Sequence, residues 1–376
     1  MNVSISCAVD WTPEVLPFAP RPVNGELLSS WARRLAAANG ISLSELCACV
    51  GDILGSQEHA AVFDYGAPQR WRLTMASMAR VPERWVWVID LQQQFPAIGR
   101  EWFLHDPTQP ERILSGFCPE CFHDQVAARQ RLQLKAEWAV ALVTRCFRHQ
   151  LPLYRYCPWC GWDQPVHFQG NATVHCLYCA TDLTIRRQLR TPYPPEPWIA
   201  ALERAAIETL SGKAPDPVWG ADWTASRFRS FLADLVWMLT TKELIDPSYD
   251  CVLADRIVSD RFLPKDPYGQ DVDAPFCARS WSQREAVVSG ILQVLLGPEA
   301  DRYVGCRGNW RKDARPFRPF FEILRSVQRN EDRLWDRIRQ WPGAIQDRAG
   351  EALRFLESER TRAASPGRKR VRPAVF

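Results

Sequence analysis

The chain has no run approaching eighteen consecutive apolar residues, so no membrane-spanning helix is expected. Met1–Asp10 lacks a basic segment followed by an apolar stretch, so no export signal is expected and the anticipated setting is the cytoplasm. Catalytic signatures are missing too: there is no glycine-rich phosphate loop ending in Gly-Lys, no HExxH and no GxSxG. Acidic residues are scattered, and none stand out as a nuclease or transposase triad. His105-Asp106 lies in a proline-bearing loop and reads as a turn feature. No enzymatic activity is expected. Charge of one sign is also scarce, since 47 Lys and Arg against 43 Asp and Glu leave a net +4. Any nucleic-acid contact must therefore come from local patches.

What the chain does have is cysteine, thirteen in 376 residues. Eight metal-ligand residues fall into four short pairs: Cys118-Pro-Glu-Cys121, Cys146-Phe-Arg-His149, Cys157-Pro-Trp-Cys160 and Cys176-Leu-Tyr-Cys179. A tight turn can aim both donors of such a pair at one ion, and two pairs close a tetrahedral shell. Without an export signal these read as metal ligands, not disulfides. Two structural zinc ions follow, paired either sequentially or in cross-braced fashion. His123 and His175 lie beside the cluster as substitutes. A closed protein shell leaves no open coordination position, so the sites hold structure instead of doing chemistry. Cys7, Cys47, Cys49, Cys251, Cys277 and Cys306 read as small buried hydrophobes.

Along the chain, a proline-bearing lead (Leu16–Pro22) precedes a helix expected from Asn24 to Asn39-Gly40, with Leu27, Leu28, Trp31 and Leu35 on one face. Arg33 and Arg34 fall largely outside that face. A second helix should start at Ser42, with Glu45 completing a capping box and Gly51 ending it. The pair fits a helix-turn-helix and an ordinary helical hairpin equally. Pro82-Glu83 opens a helical stretch to Phe95, and Gly99–Pro110 reads as a loop. Ala127–Thr144 reads as a helix. Arg129, Arg131, Lys135, Arg145, Arg148 and Arg155 make that region basic, either a solvated face or a phosphate-contacting one.

At these residues the chain resembles the TniQ family. The run from Trp138 through Cys146-Phe-Arg-His149 and Cys157-Pro-Trp-Cys160 to Gly161 is similar to that family's zinc-finger core. It is preceded by Gly116-Phe-Cys-Pro-Glu-Cys-Phe122, and the opening Gly25-Glu-Leu-Leu-Ser-Ser-Trp31 matches in style. The resemblance covers roughly residues 16 to 185. It implies a transposon target-selection factor with an N-terminal helix-turn-helix and paired zinc fingers. The eight ligands carry over onto the positions named above. Such proteins recruit an AAA+ transposition regulator, and with it the transposase. Some read target duplex DNA directly, as the TnsD-like branch does; others dock, often as dimers, on an RNA-guided Cascade-like CRISPR complex.

Past the fingers, a proline cluster near Arg190 marks a boundary, and helices are expected at Trp198–Leu210, Ala225–Leu244, Ser282–Leu296 and Phe317–Trp341. Ser282 with Glu285 repeats the capping-box pattern. Arg307, Arg311, Lys312, Arg315 and Arg318 interleave with Trp310 and Phe317, and the tail carries Arg368, Lys369 and Arg370. Both suit nucleic-acid contact or simple solvation. The expected fold class is mostly α with small zinc-stabilised β/loop modules. It divides into an N-terminal helical region (1–112), a paired zinc-finger module (113–190), a C-terminal helical bundle (191–359) and a basic tail (360–376). The expected function is an adaptor between a target-recognition complex and the AAA+ regulator. Weak net charge and modest length favour it over a direct DNA reader, with a zinc-stabilised nuclease third.

Overall fold

The computed structural model describes residues 15–55, 63–106, 109–162, 166–169, 173–184, 197–216, 219, 222–240, 276–278, 281–296, 338–341 and 345. The proline-bearing lead cannot be helical and serves as a strap. Trp31 Nε1 donates to the Pro20 carbonyl at 2.7 Å and Arg34 Nη2 to that of Arg21 at 3.1 Å. Helix α1 runs Leu28–Ala38, not from Asn24. Gly25 turns the chain at φ +77° and Glu26 bridges to Lys135, so the backbone is extended until Leu27. Helix α2, Leu43–Leu54, has the expected capping box, with Glu45 N donating to Ser42 Oγ at 3.1 Å and Ser42 N to Glu45 Oε2 at 2.6 Å. Gly51 does not end it. That glycine is buried inside the helix, where packing offsets the ~1 kcal/mol propensity cost, and Gly55 ends it in the left-handed region. A break of four residues turns the chain by 100° between α1 and α2.

Helix α3 spans Gln69–Met78 and packs against α4, Glu83–Trp87. The single helix expected from Pro82 to Phe95 is split, because α5, Leu91–Gln94, starts afresh at Asp90. The Asp90 carboxylate accepts from Gly66 N, Ala67 N and Gln92 N, and caps α5 while tying down the preceding loop. The expected loop at 99–110 holds a short hairpin, β1 (His105–Asp106) against β2 (Gln109–Ile113). Leu16 through Ile89 form one buried cluster around Trp31 and Trp71.

Helix α6 covers Pro119–Ala127 and stops before Arg129 at φ +51°. The helix expected over Ala127–Thr144 is absent. Leu132 and Leu134 alternate inward with the more exposed Arg131, Gln133 and Lys135, a strand-like period. The segment's partners are distant: Leu27 N donates to Leu134 O at 3.0 Å, Ala136 N to Gly25 O at 2.8 Å and Leu104 N to Ala139 O at 2.7 Å. Every residue from Ala139 to Cys146 is buried. Tertiary pairing overrides the local helical preference here.

Strands β3 (Val166–Gln169) and β4 (Thr173–Cys176) form an antiparallel hairpin in the second finger. Helices α7 (Pro197–Leu210), α8 (Ala225–Thr240) and α9 (Trp281–Leu296) pack on one another. Ser282 lies within α9, not ahead of it, and Glu285 accepts from Arg145 Nε at 2.9 Å. One core links Trp138, Phe122 and the ligand cysteines Cys118, Cys121, Cys146, Cys157 and Cys176 to Phe231, Ile291 and Trp341, so most of the finger region and these helices are buried together. Among the described residues no single helix is long and apolar enough to cross a membrane. The basic segment 307–318, the tail 360–376, Cys7, Cys251, Cys306 and most of the expected helix Phe317–Trp341 lie outside the described residues.

Candidate metal centres

Three of the four ligand pairs share one turn. The fourth residue after the leading cysteine takes positive φ (Gln150 +56°, Gly161 +76°, Ala180 +55°). Its N–H donates back to the carbonyl of Cys146, Cys157 or Cys176 at 2.7–2.9 Å. Each leading cysteine's N–H is in turn received five residues on, at Leu151, Trp162 or Thr181. The turn curls both donors toward a common point. The remaining pair uses the start of α6, with Cys118 at the N-cap, Pro119 at the first helical position and Cys121 one turn in.

These turns bring together Cys118, Cys121, Cys146 and His149 in one group and Cys157, Cys160, Cys176 and Cys179 in another. Within each, the four donor atoms lie within 4.8 Å of one another. The pairing is sequential, not cross-braced. In the first group Cys121 Sγ is 3.5 Å from Cys146 Sγ and 3.3 Å from His149 Nδ1, and Cys118 Sγ is 3.5 Å from the same nitrogen. In the second, Cys157 and Cys179 are 3.7 Å apart and Cys160 and Cys176 3.6 Å. A tetrahedron with zinc bond lengths has sulfur–sulfur edges of about 3.8 Å and sulfur–nitrogen edges of about 3.6 Å. A disulfide would need about 2.05 Å. The donor chemistry and spacing fit zinc at both points. His123 and His175 stay outside, facing the Thr184 carbonyl at 3.3 Å and Thr173 Oγ1 at 3.1 Å.

Asp124 stands behind the first group. His149 Nε2 donates to its Oδ2 at 3.0 Å, which leaves Nδ1 for the metal, and Arg148 Nη2 donates to the same oxygen at 2.6 Å. Sequence reasoning missed it, although an acid three residues past Cys121 was the available signal. Missed as well was Glu203 on α7, which accepts from the Thr144 N–H and hydroxyl beside Cys146. Burial pushes its carboxyl up to about 7 against the bonds from Thr144. No local pattern marks it.

The candidate contact residues divide. Arg34 is buried and paired with buried Glu26 at 2.6 Å, so it faces no partner. Arg33 is half-buried, donates to the Val166 carbonyl at 3.0 Å, and is pulled down in pKa by burial. Lys135 pairs with Glu137 at 3.4 Å and lies over the Trp138 ring. Arg145, from the same basic stretch, is buried against Glu285. Arg129, Arg131 and Arg148 remain exposed. Arg307, Arg311, Lys312, Arg368, Lys369 and Arg370 fall outside the described residues.

Residues 17–153 match the family model of TniQ. No curated protein matches the chain.

Proposed function

We propose that this chain, which matches the TniQ family model over residues 17–153, is a transposon target-selection adaptor that joins a target-recognition complex to an AAA+ transposition regulator and its transposase. It holds two structural zinc ions and catalyses no reaction itself. One observation carries the choice of adaptor over direct reader. Taking α1 and α2 as the helix-turn-helix, α2 is the helix that would enter the major groove. Its exposed residues are Ser44, Glu45, Ala48, Asp52 and Ile53, with no lysine or arginine anywhere in the helix. An acidic face repels phosphate and lacks the arginine forks that read guanine. The two arginines of α1 are engaged within the protein, as described above. Such a surface suits a protein or ribonucleoprotein partner, an RNA-guided complex or a second copy of the chain, with exposed Arg129 adding sequence-blind phosphate contact, while Arg131 donates to the Arg21 carbonyl and Arg148 to Asp124.

Selection of bound fragments from random duplex DNA at near-physiological salt tests this. Recovery of no consensus, together with co-purification of a co-expressed AAA+ transposition regulator, is the expected result. A recovered consensus site would make the chain a direct reader and overturn the adaptor.

A further inference from the structure

The second finger carries an exposed aromatic platform beside its metal ligands. Trp162 and Tyr178 stack with ring centroids 4.2 Å apart and planes 10° from parallel, and are 55% and 51% exposed. Leu177 beside them is 61% exposed. Side chains this apolar normally fold inward, whereas here two large rings cover each other and leave their outer faces open. Cys160 and Cys179 of the same knuckles are exposed as well.

The surrounding charge says what those faces suit. Residues 157–184 contain no lysine and no arginine, and two aspartates, Asp163 and Asp182. Four thiolates around a divalent cation leave a formal charge of about −2, to which the aspartates add. A nucleic-acid strand stacking here would bring its phosphates into that negative field. A guanidinium is drawn by both features, by the electron-rich ring face and by the anionic shell, and its planar head stacks on indole. The finger already binds one arginine of its own chain, since Arg33 donates to the Val166 carbonyl at the base of the hairpin.

We propose that the Trp162–Tyr178 face is a docking site for an arginine-bearing segment of a partner protein. The inference stands whether or not the partner is a transposition regulator. Its test uses the zinc-loaded full chain and three fluorescent probes: a short Arg-Gly repeat peptide, the matching Lys-Gly peptide and a single-stranded oligonucleotide. Arg186, Arg187 and Arg190 follow the finger in sequence, outside the described residues, and make the oligonucleotide arm necessary. Fluorescence anisotropy should give the arginine peptide the tightest binding. The double change Trp162→Ala, Tyr178→Ala should weaken it by about three- to tenfold, given the strength of exposed cation–π contacts, and leave two zinc ions per chain. Trp162→Phe should weaken it less. Arginine-peptide affinity unmoved by the alanine pair, with zinc retained, overturns the proposal. So does an oligonucleotide that loses more affinity than the peptide, which would make the face a base-stacking platform. If the alanine pair fails to hold zinc, the Trp162→Phe comparison decides alone, and equal affinity there overturns the proposal.

Discussion

The two metal centres are built from the same ligand spacing but differ in how far they reach the surface. The first gathers ligands across 31 residues, keeps Cys118, Cys121 and Cys146 buried and sits within the main core. The second closes across a single hairpin, buries Cys157 and Cys176 against the same core and leaves Cys160 and Cys179 at the surface. The difference lies in what each ion would hold together. At the first centre it fixes the start of α6, the buried strand-like segment and, through Thr144 and Glu203, helix α7. At the second it fixes one finger and presents its rim.

Cysteine replacement should break the comparison most sharply. Cys146→Ser is expected to remove more than about 5 kcal/mol, enough to leave no cooperative thermal transition, because site and core are lost together. Cys160→Ser should release one zinc of two and unfold only the finger around it, with the main transition preserved. Zinc content alongside circular-dichroism melting checks both, and a shared outcome would erase the distinction.

Acidity should sharpen it next. Glu203 is an acid whose folded pKa lies above its ordinary value, so the folded state binds more protons than the unfolded one between about 4.5 and about 7. Its contribution therefore falls as pH rises through that window, by up to about 3 kcal/mol. Glu203→Gln should flatten this slope and stabilise the protein at pH 7.5. Urea titrations at pH 5 and 7.5 on both proteins would show it, and an unchanged slope would count against the buried carboxylate. The smallest effect belongs to Asp124→Asn. Loss of the carboxylate behind His149 should weaken zinc at the first centre by about tenfold and leave the second untouched. Chelator competition resolves the two sites.

The eight ligands were legible in the sequence because a zinc knuckle is a local device: its spacing, its turn and its donors all lie within a few residues. Ser42 with Glu45 was legible for the same reason. The start of α1 was misread because Gly25-Glu26 is held extended by Lys135, a residue over a hundred positions away. Ala127–Thr144 misled in the same manner, since its composition is helical and only the distant partners of Leu134 and Ala136 and the burial of 138–144 show why it pairs instead. Arg34 looked like a surface cation until Glu26 appeared behind it. The Trp162–Tyr178 stack had a visible signal, an aromatic residue beside each cysteine pair, but only the fold brings the two rings face to face.

The threading of 132–146 through the core also sets a timetable for synthesis. Ser30 of α1 receives the N–H of Leu134, 104 residues later, and Arg33 finds Val166 only 133 residues later. At about 5–20 residues per second, the first of those partners follows about 5–20 s behind its helix. Through that interval the N-terminal helices have their own apolar cluster but lack the strand that seals α1. The nascent chain must wait for the later part of the 17–153 region before its first part is finished.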